Sequence, residues 1–207
     1  KANQTITFDP IPNKLITDPD FSLNLVGGGS GNPIVFQSSN IGVASMNGNI
    51  VEINGAGTTF ITASQAGNNN YHSALDTNQS LTVSLLSQTI TFNPLPVHLI
   101  GDPPFSLNAT GGGSGNPITY TSSNNSVATV NGNMVTIVGS GLVLITASQS
   151  GNSTYASALD ASQQLIVNAA SGTATYNFGI TGSPTANPTS GVPILNLSFS
   201  TISQGNN

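Results

Sequence analysis

The sequence contains few charged residues and neither cysteine nor tryptophan. Two basic and seven acidic side chains make up 4% of the 207 positions, whereas an average soluble domain has about 25% charged residues. With a net charge of −5 and no cluster of lysine or arginine, the chain lacks the electrostatic footprint of a nucleic-acid-binding protein. No stretch approaches the roughly 18 apolar residues of a membrane span. We therefore expect no nucleic-acid partner and no membrane span in this segment.

The lack of cysteine leaves the compartment open, because a domain of this size with a full core needs no disulfides. Asparagine, serine, threonine and glycine take the surface positions that charged residues usually fill. The chain also opens inside a strand-like pattern, without a signal peptide. We therefore expect it to be a segment of a longer protein.

One unit is written twice along the chain. The motif QTITF begins at Gln4 and again at Gln88, and 88 minus 4 is 84 positions. Residues 38–65 return as residues 122–149 at the same separation and without a gap. Self-similarity on this scale is typical of tandem domains rather than of the short turns of a solenoid.

This period predicts three parts of the chain: a first repeat over residues 1–87, a second over 88–171, and a C-terminal β segment over 172–207. The last part is too short to bury a core of its own. We interpret it as the start of a further domain or as an exchanged strand, with strands at 174–180 and 194–202 that dock on the second repeat or on a neighbouring chain by strand addition.

Each repeat has the pattern of an all-β sandwich with about seven short strands. Turn signals recur at intervals of about 8–12 residues, and no window shows a sustained helical period. Asn47-Gly48 predicts a hairpin that pairs Met46 with Asn49 and places Glu52 on the outer face. In the first repeat we place strands at residues 5–8, 21–25, 34–38, 43–46, 50–53, 58–65 and 79–84.

Residues that could support catalysis or bind a metal are few and lack the required spacing. His72 and His98 occupy different places in the repeat and have no partner at metal-ligand spacing, so we interpret both as solvated loop residues. The glycine-rich run 27–33 precedes a strand and lacks a following Lys-Ser/Thr, which favours a hairpin loop over a phosphate site. Two aspartate positions recur in both copies, beside turn residues where Asp bonds nearby backbone N–H groups, and they give one pair in each repeat: Asp18 and Asp76, and Asp102 and Asp160. We predict no catalytic residue, cofactor or metal, and hence no enzyme.

Aromatic residues are too sparse to favour a carbohydrate-stacking platform. Tyr71 and Tyr155 occupy the same place in the two repeats, before the last strand. We interpret them as residues that pin a loop to the sandwich.

Two sets of apolar residues are candidates for contacts. On the strand that ends in ITASQ, side-chain alternation directs Phe60 of the first repeat and Leu142 and Leu144 of the second outward, where grouped apolar residues suggest a contact surface. The alternative is that a loop of the same repeat covers them. Leu85 and Leu86, in a linker of at most three residues, indicate a partly buried junction between the repeats.

The motif SSN…VA…NGN…V.I.G.G…ITASQ resembles the bacterial Ig-like repeats of the group 2 type seen alongside invasin- and intimin-like adhesins. The unit from residue 4 to about 170 is similar to the variant found in tandem arrays of very large surface proteins of Bacteroidota-type bacteria. This resemblance implies an Ig-like sandwich, export to the cell surface and a spacer or adhesive role, and it carries over no catalytic residue. The Lys–Asn cross-links of some such domains cannot be general here, since Lys14 becomes His98 in the second copy.

The leading hypothesis is a non-enzymatic stalk or adhesive segment of a large extracellular surface protein. Its expected partners are neighbouring Ig-like domains of the same polypeptide, and other copies of the chain or a surface ligand are further candidates. One alternative is an accessory module of a secreted enzyme that binds carbohydrate or protein. A second is a subunit of an extracellular filament that assembles by strand addition through the tail.

Overall fold

A computed structural model describes residues 1–170 and, in the tail, the backbone of residues 185–186 and 193–194. The described residues form strands and no helix, so the all-β prediction is confirmed. The chain divides into two compact units, Lys1–Ala170 and Ser171–Asn207. The predicted tail strands at 174–180 and 194–202 lie outside the described residues, apart from Ile194.

Each repeat contains nine short strands in the same order. The first repeat comprises β1 (Thr7–Phe8), β2 (Lys14–Leu15), β3 (Phe21–Ser22), β4 (Leu25–Val26), β5 (Ile34–Ser38), β6 (Ala44–Asn47), β7 (Ile50–Ile53), β8 (Gly57–Gln65) and β9 (Thr77–Ser84). The second comprises β10 (Thr91–Phe92), β11 (His98–Leu99), β12 (Phe105–Ser106), β13 (Ala109–Thr110), β14 (Ile118–Ser122), β15 (Ala128–Asn131), β16 (Met134–Ile137), β17 (Gly141–Gln149) and β18 (Ala161–Asn168). In the tail, β19 (Thr185–Ala186) pairs antiparallel with β20 (Pro193–Ile194).

Two larger sheets and one two-stranded sheet build each repeat into an Ig-like sandwich. In the first repeat a four-stranded sheet has the order β2-β9-β8-β5, a three-stranded sheet has the order β3-β7-β6, and β1 pairs with β4. The second repeat has the same arrangement: β11-β18-β17-β14, β12-β16-β15, and β10 with β13. The two sandwiches therefore reproduce the period of the sequence strand for strand.

The core of each repeat comes from alternate residues of the strands. Along β8, the side chains of Thr59, Ile61 and Ala63 are buried, while their neighbours are more exposed, as expected for a strand with one face on the core. The buried apolar residues that pack together in the core of the first repeat are Phe8, Leu23, Val43, Ala44, Val51, Ile61, Ala63, Leu81 and Val83. Those of the second are Phe92, Leu107, Val127, Ala128, Val135, Val143, Ile145, Ala147, Leu165 and Val167.

The predicted hairpin forms, but its register differs from the prediction. Met46 pairs with Val51 and not with Asn49, a shift of two residues that leaves each side chain on its predicted face because strand alternation has a period of two. Gly48 has a φ of 62°, and no non-glycine residue with positive φ occurs in the described part of the chain. Because Asn47 pairs with Ile50, the two central residues of the turn are Gly48 and Asn49. A positive φ at only the first of them is typical of a type II′ turn.

The first repeat has nine strands and not the predicted seven, for two reasons. The predicted strand at 21–25 is divided, because β3 pairs with β7 and β4 pairs with β1; the chain crosses between these pairs at the buried Leu23. In addition, β2, which pairs parallel with the end of β9, was not predicted. A two-residue strand close to Pro10 and Pro12 has no alternation from which it could be recognised.

Candidate contact surface and repeat junction

The outward residues of β8 and β17 are exposed, as strand alternation predicts. Phe60 on β8 is 52% exposed, and Leu142 and Leu144 on β17 are 60% and 44% exposed. The intervening Val143 and the following Ile145 are buried. No loop within the described residues covers the three outward side chains.

The surroundings of Leu142 and Leu144 are apolar or uncharged. Leu142 pairs with Ile166 of β18 and Leu144 pairs with Gln164. We call Leu142, Leu144 and Ile166 the β17 face. Beyond it on the same sheet, the hydroxyl groups of Thr146 and Ser162 lie 2.8 Å apart. The β17 face can therefore offer an apolar contact, and its own side chains carry no acid or base.

The first repeat has a more polar version of this surface. Thr58 replaces Leu142 and its hydroxyl lies 3.3 Å from that of Thr82, while Phe60 pairs with Ser80. The two copies therefore share a fold but differ in the chemistry of one sheet face.

The junction between the repeats is short and held at both sides. The carbonyl of Ser84, the last residue of β9, accepts a hydrogen bond from Ile16 N at 2.9 Å. Leu86 N donates to the carbonyl of Thr154, and Ala156 N donates to the carbonyl of Leu86, each at 2.9 Å. Leu85 is thus the single residue between two hydrogen-bonded backbones, and both leucines are half-buried.

The interpretation of His98 as a solvated loop residue was wrong. His98 lies in β11, half-buried, with its ring stacked on that of Phe105 at a centroid distance of 4.1 Å. Its Nδ1 lies 3.0 Å from Oδ2 of Asp102, and its Nε2 is buried without a hydrogen-bond partner among the described residues. In the first repeat Lys14 takes this place, with its Nζ 4.5 Å from the centre of the Phe21 ring. The residue at this position therefore packs against an aromatic ring in both repeats, by ring stacking for His98 and as a cation over the ring for Lys14.

Two of the recurring aspartates act as predicted, as local backbone caps. Asp18 accepts a hydrogen bond from Leu15 N and Asp102 accepts one from Leu99 N, each at 3.0 Å. The hydrogen bond from Leu99 N, together with the one shared with His98, holds the pKa of the Asp102 carboxyl below its ordinary value, because both favour the charged form. This carboxylate therefore caps the backbone of the turn that follows β11.

The glycine-rich loop is in contact with side chains from distant parts of the repeat, which its sequence did not predict. Gln65 is buried; its Oε1 accepts from Gly28 N at 2.6 Å and its Nε2 donates to the carbonyl of Asn32 at 2.7 Å. A Cβ on Gly28 would lie 2.5 Å from the Cβ of Gln4, and one on Gly29 would lie 2.6 Å from the Tyr71 ring. The glycines therefore allow a glutamine and a tyrosine to lie directly against the loop backbone.

The second repeat has the same arrangement, with Gln88 against Gly112 and Tyr155 against Gly113. Both tyrosines thus contact the loop in the way the loop-pinning interpretation requires. The buried glutamines could have been suspected from the sequence, since Gln4 and Gln65 recur at the same places as Gln88 and Gln149. No group of three or more His, Cys, Asp or Glu residues that could hold a metal ion occurs in the described part of the chain. Nor does a helix that could span a membrane occur there.

No family model and no curated protein matches this chain. Among solved structures it is similar to Drosophila N-cadherin EC1-4, at 10% identity over 80% of this chain and 51% of that chain, with a TM-score of 0.31. It is also similar to domains 1-6 of the surface layer protein SbsC, at 14% identity over 92% of this chain and 31% of that one, with a TM-score of 0.34.

A third similar structure is the C-terminal 282-residue fragment of intimin in complex with the intimin-binding domain of the translocated intimin receptor. The identity is 18% over 82% of this chain and 65% of that one, with a TM-score of 0.30. The chain spans about half the length of the N-cadherin fragment and about a third of the SbsC fragment. At these identities and TM-scores, the likenesses assign the chain to no family.

Proposed function

We propose that this chain is a non-enzymatic structural segment of a large extracellular surface protein, where its tandem Ig-like sandwiches act as a spacer. The observation that carries the proposal is the junction, where one residue, Leu85, separates the hydrogen-bonded end of β9 from the hydrogen-bonded Leu86. So short a connection restricts the relative motion of two folded units, and restricted motion is what a spacer needs to hold a distal domain away from a surface.

The polar side chains of each repeat support the same role. Gln4, Gln65 and Asn32 make hydrogen bonds within their own repeat, and their partners are backbone groups of neighbouring loops. This polar cluster is thus occupied in fixing the loops. In addition, the sequence has only two lysines and no arginine, at Lys1 and Lys14, which leaves trypsin-like proteases with few cleavage sites.

Immunogold labelling of intact cells tests the surface location. An antibody against this chain is expected to label unpermeabilised cells that express the full-length protein, while an antibody against a cytoplasmic protein, used as the control, does not. Labelling that requires permeabilisation would contradict the proposal.

The exposed leucines favour an additional, adhesive role. We propose that the β17 face contacts a second copy of the chain, because its leucines are more than 40% exposed and no charged side chain belongs to it. The area is small beside the roughly 800 Å² per partner of a standard interface, so the expected association is weak.

Sedimentation velocity over a concentration series tests this contact. If the contact forms, the sedimentation coefficient of the wild-type chain rises with concentration. Replacing both Leu142 and Leu144 by threonine, which the first repeat carries in place of Leu142 as Thr58, is expected to abolish this rise. Phe60→Thr serves as the matched control on the first repeat and is expected to leave most of the rise. An unchanged series for the double variant would count against the contact.

A further inference from the structure

At the start of each repeat, a stretch of fifteen residues, which for the second repeat begins in the linker, lies along the last strand and the loop before it. We call residues 2–16 and 86–100 the leading segments. Each is attached at four successive places, two of them through backbone groups and two through a glutamine side chain. In the first repeat the attachments are Ala2 N to Asn70 O and His72 N to Ala2 O, Gln4 Nε2 to Ala66 O, Gln79 Nε2 to Phe8 O, and the β2–β9 pairing with Ile16 N to Ser84 O.

The second repeat repeats all four attachments. The corresponding bonds are Leu86 N to Thr154 O and Ala156 N to Leu86 O, Gln88 Nε2 to Ser150 O, Gln163 Nε2 to Phe92 O, and the β11–β18 pairing with Ile100 N to Asn168 O. The glutamine bonds to Phe8 and Phe92 are 2.8 Å and 2.6 Å long. The leading segment is therefore fixed at both ends and at two places between them, and not only at β2 or β11.

The topology sets the direction in which these attachments would be loaded. The chain enters the repeat at Ala2, which pairs with Tyr71 in the loop before β9. It leaves at Ser84, at the far end of β9, whose eight residues span about 27 Å. Because β2 and β9 are parallel, pulling the two ends of the chain draws the leading segment and β9 in opposite directions along their common axis.

Hydrogen bonds between two strands run across the strand axis. Sliding one strand past the other therefore strains all four attachments together, whereas peeling a strand from its end breaks them one after another. We infer that each repeat bears tension along the chain, and that the contact of its leading segment with the loop and β9, or β18, is the part that resists unfolding under load. This force-bearing role extends the proposed spacer function, and its biological relevance rests on that function. The resistance to force itself can be measured on the isolated chain.

Optical tweezers applied to the whole 207-residue chain test this inference. The sequence has no cysteine, so Lys1→Cys and Asn207→Cys provide unique attachment points for the handles. At constant force, each repeat is expected to unfold in one step that releases a contour length of roughly 280–300 Å, less its folded length, at about 3.3–3.6 Å per residue.

Two variants of the first repeat separate load-bearing bonds from others. Gln79→Ala removes the side-chain bond to the Phe8 carbonyl, which joins β9 to the leading segment. Asn54→Ala is the control: it removes a side-chain bond to the Ile41 carbonyl and one to Ser45, neither of which joins those two parts. The second repeat, unchanged in the same molecule, supplies the reference lifetime.

Gln79→Ala is expected to shorten the lifetime of one step under tension by roughly tenfold, the full worth of a hydrogen bond. In denaturant without tension the unfolding rate should rise by less than about threefold, because unfolding can then begin at any edge. Asn54→Ala should change both rates by similar, small factors. If Gln79→Ala does not fold, Gln163→Ala makes the same test in the second repeat.

Equal effects of the two variants under tension would overturn the inference, and so would extension of wild-type repeats without a resolved step. Because no cell is involved, these results are independent of where immunogold labelling places the full-length protein.

Discussion

Replacing Gly28 by alanine is expected to lower the free energy of unfolding of the first repeat by about 3 kcal/mol. The added Cβ would lie 2.5 Å from the Cβ of Gln4 and 2.9 Å from its Oε1. Gln4 cannot swing aside, since its Oε1 accepts from Ser30 N and its Nε2 donates to the Ala66 carbonyl. Relief of the clash therefore requires the leading segment to move away from the loop.

Gly31→Ala is the matched control in the same loop. Gly31 has a φ of 67°, and no atom lies within 4 Å of the position where its Cβ would be, so the only cost is the left-handed backbone, about 1 kcal/mol. Urea unfolding followed by circular dichroism, with the second repeat as an internal standard, measures both losses. Similar losses for the two variants would mean that Gln4 does not occupy the space beside Gly28.

Replacing Gln65 by glutamate is expected to make the stability of the first repeat strongly dependent on pH. The side chain is 5% exposed and faces a donor, Gly28 N, on one side and an acceptor, the Asn32 carbonyl, on the other. A protonated carboxyl matches both partners, but a carboxylate would set a second negative oxygen against that carbonyl. Burial and this repulsion both disfavour the charged form and raise the pKa of the new carboxyl above its ordinary value of about 4.3.

The sign of the pH effect follows from the raised pKa. Below the unfolded-state pKa the variant is protonated in both states and should be close to wild type in stability. As the pH rises through the folded-state pKa, the stability is lost, and at pH 7 the expected loss is about 3 kcal/mol, the penalty of a buried polar group without a suitable partner. The control is Gln37→Glu, on the exposed side of β5. Its free energy of unfolding should change by no more than about 0.5 kcal/mol between pH 4 and 7, as is usual for a surface substitution. A flat pH profile for Gln65→Glu would contradict the hydrogen-bond assignment.

Much of the fold could be predicted because the same strand and turn patterns occur in both copies of the repeat. Alternation along β8 and β17 correctly predicted that Phe60, Leu142 and Leu144 are exposed. The hairpin at Gly48 was also predicted, and its register error of two residues left the faces unchanged. These features depend on neighbours in the sequence, where period and turn chemistry are direct guides.

The features that were missed depend on tertiary contacts. Gln65 and Gln4 meet the glycine loop only in the folded repeat, and His98 stacks on Phe105 although their strands, β11 and β12, belong to different sheets. A polar residue in a loop-rich sequence is usually exposed, so nothing local distinguishes a glutamine that is buried by tertiary packing. The candidate contact residues, by contrast, were accessible to prediction because they follow from strand alternation alone.

The most direct measurement of the spacer role is the distance between a distal gold label and the cell envelope after one period has been removed. In the full-length protein, deletion of residues 4–87 removes one 84-residue period and joins Asn3 directly to Gln88. Because both copies begin with QTITF, the residues before the deletion then meet the same sequence as before. The expected result is unchanged surface labelling with the label closer to the envelope by on the order of 30 Å, the span of one eight-residue strand and its loops. A label at the same distance, or one lost from the surface, would contradict the proposal that these repeats act as a spacer.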